Sequence, residues 1–188
     1  MSRDFKGQPC VYYINNLSTR KGDHIFAREF FLPSRRHNLP KAPACMQCNN
    51  EKSKLENDLT SILPFGGRHI DARSNLELVP KRLDKNAKLR RLLATGRRRV
   101  WSKEKSDLYV PTVTLPIKQG CIEQLFGFIV KGLVWHHWRI YLPAECVVKV
   151  TALTQDGEEA FEQRILNREG HPYVSIDLGN GTFLSMVR

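Results

Sequence analysis

The sequence predicts an α+β chain: a short strand-and-helix unit at the N-terminus, then a basic helix, then a long apolar helix with antiparallel strands. Three observations lead there. Cys45-Met-Gln-Cys48-Asn49-Asn50-Glu51-Lys52 runs into Leu55, Leu59 and Leu63, spaced as on one face of a helix. Between Cys121 and Trp138, residues Ile122, Leu125, Phe126, Ile129, Val130 and Leu133 recur with helical period and mark a buried helix. The runs CVVKVTAL, YVSIDL and TFLSMV, separated by Asp156-Gly157 and Gly179-Asn180-Gly181, read as strands with a closing hairpin. The chain divides on this reading into 1–70, a polar-centred N-terminal domain; 71–106, a basic helical segment; and 107–188, a structural or interaction region.

The first apolar run, Cys10-Val-Tyr-Tyr-Ile, ends in Asn15-Asn16 and suits a strand entering a turn. Gly22 to Phe26 suits a second strand, Gly22 allowing a tight approach and Asp23 and His24 alternating to opposite sides. Phe26, Phe30 and Phe31 then fit a short core-facing turn that Leu32-Pro33-Ser34 stops. Arg35 to Asn38 is polar loop, and Pro64 to His69 is a turn that closes the unit, with His69 and Asp71 on the solvent side.

From Lys81 to Lys105 the chain holds eleven basic and two acidic residues, so most of the net charge of +11 originates there. Leu83, Ala87, Leu89, Leu92 and Leu93 give this stretch a partial apolar face, hence an expected helix from about Pro80 to Ala94 carrying Arg90 and Arg91, ended by Gly96. Arg97-Arg98-Arg99 is expected to begin a basic loop, and LYVPTVTLPI, with two prolines, an extended linker or edge strand. One-sided positive charge of this kind favours a polyanion, because each neutralised phosphate releases a condensed counterion. Arg90, Arg91, Arg97, Arg98 and Arg99 are the candidate phosphate contacts.

No stretch reaches the roughly 18 apolar residues of a membrane span and no lipidation motif is present, which argues against a membrane role. The N-terminus lacks an apolar signal run, so a cytoplasmic location is expected. In that compartment five cysteines, two of them in Cys45-x-x-Cys48, point to metal binding over disulfides, and Cys121 and Cys146 are read as buried thiols. His136-His137 point about 100 degrees apart on a helix and are read as interior or interface histidines.

Over roughly residues 10 to 65, the Asp23-His24 pair followed by Cys45-x-x-Cys48-Asn49-x-x-Lys52 resembles the HNH nucleases, the ββα-metal or His-Me finger family, in an HNN-type variant where Asn49 replaces the last His. The resemblance implies a ββα-metal finger. It implies that Asp23 and Asn49 bind a magnesium or manganese ion, that His24 takes the proton of the attacking water, that Asn38 holds the histidine, and that Lys52 contacts phosphate. Asn50 is the neighbouring alternative ligand, and the plain alternative for Asn49 is a cap of the helix. Many members carry a second Cys-x-x-Cys where this chain has Cys10-x-x-Tyr13. Cys10, Cys45 and Cys48 would then hold zinc with His37 or a water as fourth ligand, or form a packed knuckle without metal. The expected partner is nucleic acid, DNA ahead of RNA by resemblance alone, with a homodimer or larger complex formed through the C-terminal region. The rival expectations are a zinc-ribbon-like module that binds nucleic acid without cutting it, and a nuclease subunit active only inside a larger complex.

Overall fold

Two residues, Asp23–His24, form strand β1, which pairs antiparallel with β2 (Lys41–Ala42) in the register Asp23 to Ala42 and His24 to Lys41. The computed structural model describes residues 5–67, 69–103, 107–143, 145–150, 157, 160, 163, 174–178 and 183–187, with backbone alone for most of the last two segments. Gly22 leads into β1 at a φ of 62°, where a Cβ would lie 2.5 Å from the Phe5 ring and 2.7 Å from the Ala42 carbonyl, so both conformation and space require glycine. The expected Phe26 to Phe31 turn is a single 3-10 turn, Arg28–Phe30, with Phe26 and Phe31 buried edge to face beside it.

Helix α1 (Met46–Ile62) begins at Cys45, whose extended backbone and sulfur, accepting from the Cys48 N–H at 3.4 Å, replace the usual hydroxyl cap. The helix buries Cys48, Lys52 and Leu59, with Lys52 reaching β1. It also packs on α2 (Ala72–Asp84) and α4 (Cys121–Trp138).

The α4 boundaries match the sequence expectation; its buried side chains are Cys121, Leu125, Ile129, Leu133 and Trp135, the first four at helical spacing, while Ile122, Phe126 and Val130 of the expected face are half-buried. The buried ones join Phe5, Tyr12, Ile25, Phe26, Phe31 and Leu59 in one core, so the expected C-terminal helix completes the core of the N-terminal unit. Gly132 allows that approach: a Cβ there would meet the Ile25 side chain at 2.9 Å.

The expected helix from Pro80 to Ala94 is two helices. α2 ends at Asp84 and α3 (Ala87–Gly96) starts afresh, because Asn86 turns its side chain to accept from the Leu89 N–H at 3.0 Å. Pro80 lies inside α2. The apolar period runs on across this break, since Leu89, Leu93 and Leu83 meet Ile62 in a second, smaller core.

Arg98–Lys103 is strand β3 and not a loop, paired with β4 (Tyr109–Thr114) in an antiparallel ribbon. Val100, Trp101, Tyr109, Val110 and Val113 supply the β-preference that the arginine run obscures. β5 (Val174–Leu178) and β6 (Phe183–Val187) form the closing hairpin, with Leu178 against the main core; the glycines between them lie outside the described residues. Two further expectations change. Cys10 to Ile14 is not a strand: one bridge, Pro9 to Leu17, closes a tight loop there, and residues 146–150 of the expected CVVKVTAL strand carry no regular structure. Cys146 is exposed, while Cys121 is buried as expected. The molecule is thus α+β, with four α-helices and small antiparallel sheets among the described elements.

Candidate active site and metal centre

The bridged loop and the start of α1 bring three thiols together. Cys10 sits in the loop held by Cys10 N–H to Asn16 carbonyl (2.8 Å) and Ser18 N–H to Gln8 carbonyl (2.8 Å). Val11 N–H to Pro43 carbonyl (3.0 Å) and Thr19 N–H to Ala44 carbonyl (2.9 Å) dock it on the segment before α1. The sulfurs of Cys10, Cys45 and Cys48 all lie within 4.8 Å of one another, and all three residues are buried. Such a group could hold a metal ion.

Burial opposes ionisation of Cys45, but the Cys48 N–H, the Asn16 amide and hydrogen bonds from Cys48 and Cys10 outweigh it and bring the thiol below its usual range. Burial and the neighbouring Cys45 and Cys10 sulfurs push Cys48 far above that range. The expected protein ligand, His37, does not complete the trio, being exposed and outside the cluster, and Tyr13, in the place of a second cysteine, is 54% exposed. The polar side chain that does face it is Asn16, 3.5 Å from the Cys45 sulfur.

One turn into α1, Lys52 is completely buried, and its ammonium meets Asp23 Oδ2 at 2.9 Å, the His24 carbonyl at 2.6 Å and the Glu56 carboxylate. This corrects the expected role of Lys52 as a phosphate contact: it pins β1 onto α1 and neutralises buried charge. Tyr12, a phenol held protonated by burial and by Asp23, donates to the same Oδ2 at 2.8 Å. Burial raises the Glu56 carboxyl against the pull of Lys52. Both contacts to Asp23 use Oδ2, and Oδ1 takes no hydrogen bond among the described residues.

His24, next along β1, is half-buried, and its Nδ1 is buried without a hydrogen-bond partner among the described residues. Burial, then Lys41, Arg28 and Lys52, hold its pKa below that of a free imidazole, against the opposing pull of Asp23. The ring is therefore neutral near pH 7 and able to accept a proton. Lys41 is its cross-strand partner, and both Lys41 and Arg28 are exposed.

Asn49 lies in the first turn of α1, half-buried, three residues before Lys52 and so on the same side of the helix; Asn50 is exposed. Cys45, not Asn49, caps the helix. Asn38 is exposed at a φ of 58°, a left-handed turn position, and makes no hydrogen bond to His24 among the described residues. Arg90 and Arg91 on α3 and Arg97, Arg98 and Arg99 at the start of the ribbon are all exposed, apart from this cluster. His69 accepts from the Asp71 N–H, and Asp71 pairs with Arg35 at 2.8 Å, well tied elsewhere; His136 and His137 are half-buried on α4.

The structure thus gathers Asp23, His24 and the Asn49 turn around Lys52, and adds Tyr12, Glu56 and Asn16, which the sequence reading passed over. Only the spacing of Lys52 and Glu56, four residues apart, carried a signal for that pair. None of the helices is long and apolar enough to cross a membrane among the described residues. No protein family, curated protein or solved structure matches the chain.

Proposed function

We propose that the chain is a metal-dependent endonuclease of the HNH type that hydrolyses phosphodiester bonds of DNA. The observation that carries this reading is the neutral His24 ring with a buried, unpartnered Nδ1, on a strand that Lys52 fixes against the helix turn bearing Asn49. No described residue fixes the ring through Nδ1, and a neutral imidazole is able to take a proton from water.

Asp23, through the Oδ1 left open by Lys52 and Tyr12, and Asn49, through its amide oxygen, would hold a magnesium or manganese ion; both are hard oxygen donors that suit those ions. When bound, such an ion offsets the negative charge that builds on the phosphorus centre and on the departing 3′ oxygen. His24 takes the proton of the attacking water. Lys41 and Arg28, the exposed cations whose charge the His24 ring senses, receive the phosphate in place of the buried Lys52. The thiol trio takes zinc, the ion soft enough for thiolates and common in structural sites, and ties the loop of Cys10 to α1. The preference for DNA rests on resemblance to the family.

A second reading, a nucleic-acid-binding module without catalysis, draws support from Asp23 itself, whose buried ion pair with Lys52 is what a purely structural aspartate would make. Plasmid and single-stranded DNA incubated with magnesium, manganese or neither separates the two. Nicking in magnesium or manganese, with Asp23→Asn needing more metal for the same rate, is the expected result. Intact DNA under every ion would leave the binding module.

A further inference from the structure

We propose that the β3–β4 ribbon is a stacking platform for unpaired nucleotides, a second nucleic-acid contact separate from the candidate active site. The proposal rests on the reading of the chain as a nucleic-acid-binding protein. In the register Arg99 to Val113, Trp101 to Pro111 and Lys103 to Tyr109, alternation places all six residues on one face of the ribbon. Trp101 is 70% exposed, Tyr109 63% and Val113 53%. The opposite face carries Arg98, Val100 and Ser102 against Thr114, Thr112 and Val110. Of the twelve strand residues only Val110 is even half-buried, so nothing among the described residues covers either face.

A two-stranded ribbon is marginal by itself, which makes two large exposed rings on one face an expensive feature without a partner. The charge beside the rings identifies that partner's sign. Arg99 and Lys103 flank Trp101 on its own strand, Arg97 precedes the ribbon, and Asp107 is the one described acidic residue beside it. Aromatic rings interleaved with cations fit a strand whose bases are free to stack while its phosphates meet the cations.

A duplex keeps its base faces closed, and a ribbon that reads a groove needs donors and acceptors aimed at base edges. Trp101, Pro111, Tyr109 and Val113 offer few, so the unpaired strand is the better occupant. The root of the ribbon is held firmly enough to present it: Leu115 packs on Ile62, Leu89 and Leu93, and Gly96 lies so close to Pro116 that a Cβ would come within 2.6 Å of its ring.

The test uses the full chain, without added magnesium or manganese, and measures binding of labelled oligothymidine and of a duplex of equal length across salt concentrations. Trp101→Ala is expected to weaken oligothymidine binding about tenfold, with Trp101→Phe restoring most of it, and to leave duplex binding nearly unchanged. Arg99→Gln is expected to flatten the single-strand salt dependence by about 0.7 in slope, and Arg98→Gln, on the other face, to leave it as it is. Equal oligothymidine affinity in Trp101→Ala and the parent overturns the platform while leaving the nucleic-acid reading standing if the parent binds. Equal losses on single strand and duplex overturn it in favour of a groove-reading ribbon. A parent that binds neither nucleic acid overturns both the platform and the reading beneath it.

Discussion

Lys52 and Lys103 each pair with an aspartate, Asp23 at 2.9 Å and Asp107 at 2.6 Å, yet the Lys52 side chain is 0% exposed and that of Lys103 54%. The shorter contact is the weaker constraint. On the ribbon, water competes for both charges, salt screens them, and two mobile side chains must be ordered to meet, so such a pair contributes about 0–1 kcal/mol. Inside the N-terminal unit Lys52 has no water to return to, and its three oxygen partners fix where β1 lies against α1. The same residue types therefore make a rigid mount for His24 in one region and a solvated, accessible surface in the other.

The largest effect expected in the buried region belongs to the thiol trio. About one zinc per chain should survive dialysis, and stripping it should lower stability more than either lysine substitution below, since structural zinc contributes directly to folding. Metal analysis paired with thermal unfolding checks this. A fully folded, zinc-free protein with an unchanged midpoint would make the trio a packed cluster held by Asn16 and the helix cap.

Next in size is the contrast between the two lysines. Lys52→Met leaves Asp23 and Glu56 buried without their counter-charge and should cost roughly 3–5 kcal/mol in urea unfolding. Lys103→Met should stay within about 0.5 kcal/mol. Similar losses in the two variants would contradict the mounting role given to Lys52.

Helix α4 and the strand bearing Asp23-His24 were legible because local signals determine them: a repeating apolar face for the first, a glycine at positive φ and a short apolar run for the second. The three neighbouring cysteines were legible too, because two of them stand in the Cys-x-x-Cys spacing of a metal knuckle. Lys52 was not. Its charge reads as exposed in any window of sequence, and only the docking of β1, Tyr12 and Glu56 around it makes burial tolerable. The break between α2 and α3 was missed because the apolar period continues through it, although Asn86 was a capping signal in plain sight. Arg97 to Arg99 read as loop because charge hid the alternation of the β-formers that follow.

The proposed function turns on His24 as a neutral base, and the most direct test is the single-turnover nicking rate of plasmid in saturating magnesium, measured against pH for the parent and His24→Ala. Because the folded protein holds the His24 pKa below the 6.5 of a free imidazole, the ring is neutral at and above that pH and gains its proton only below it. The parent rate should thus be level through neutral pH and fall on the acid side of 6.5, with folding stability declining over the same acid range as the unfolded chain takes up the proton first. His24→Ala, folded and still binding DNA, should be slower by about 10² to 10⁴ at neutral pH and lack that acid limb. A His24→Ala protein that nicks at the parent rate, with the same pH profile, would remove His24 from the chemistry and the nuclease assignment of this site with it.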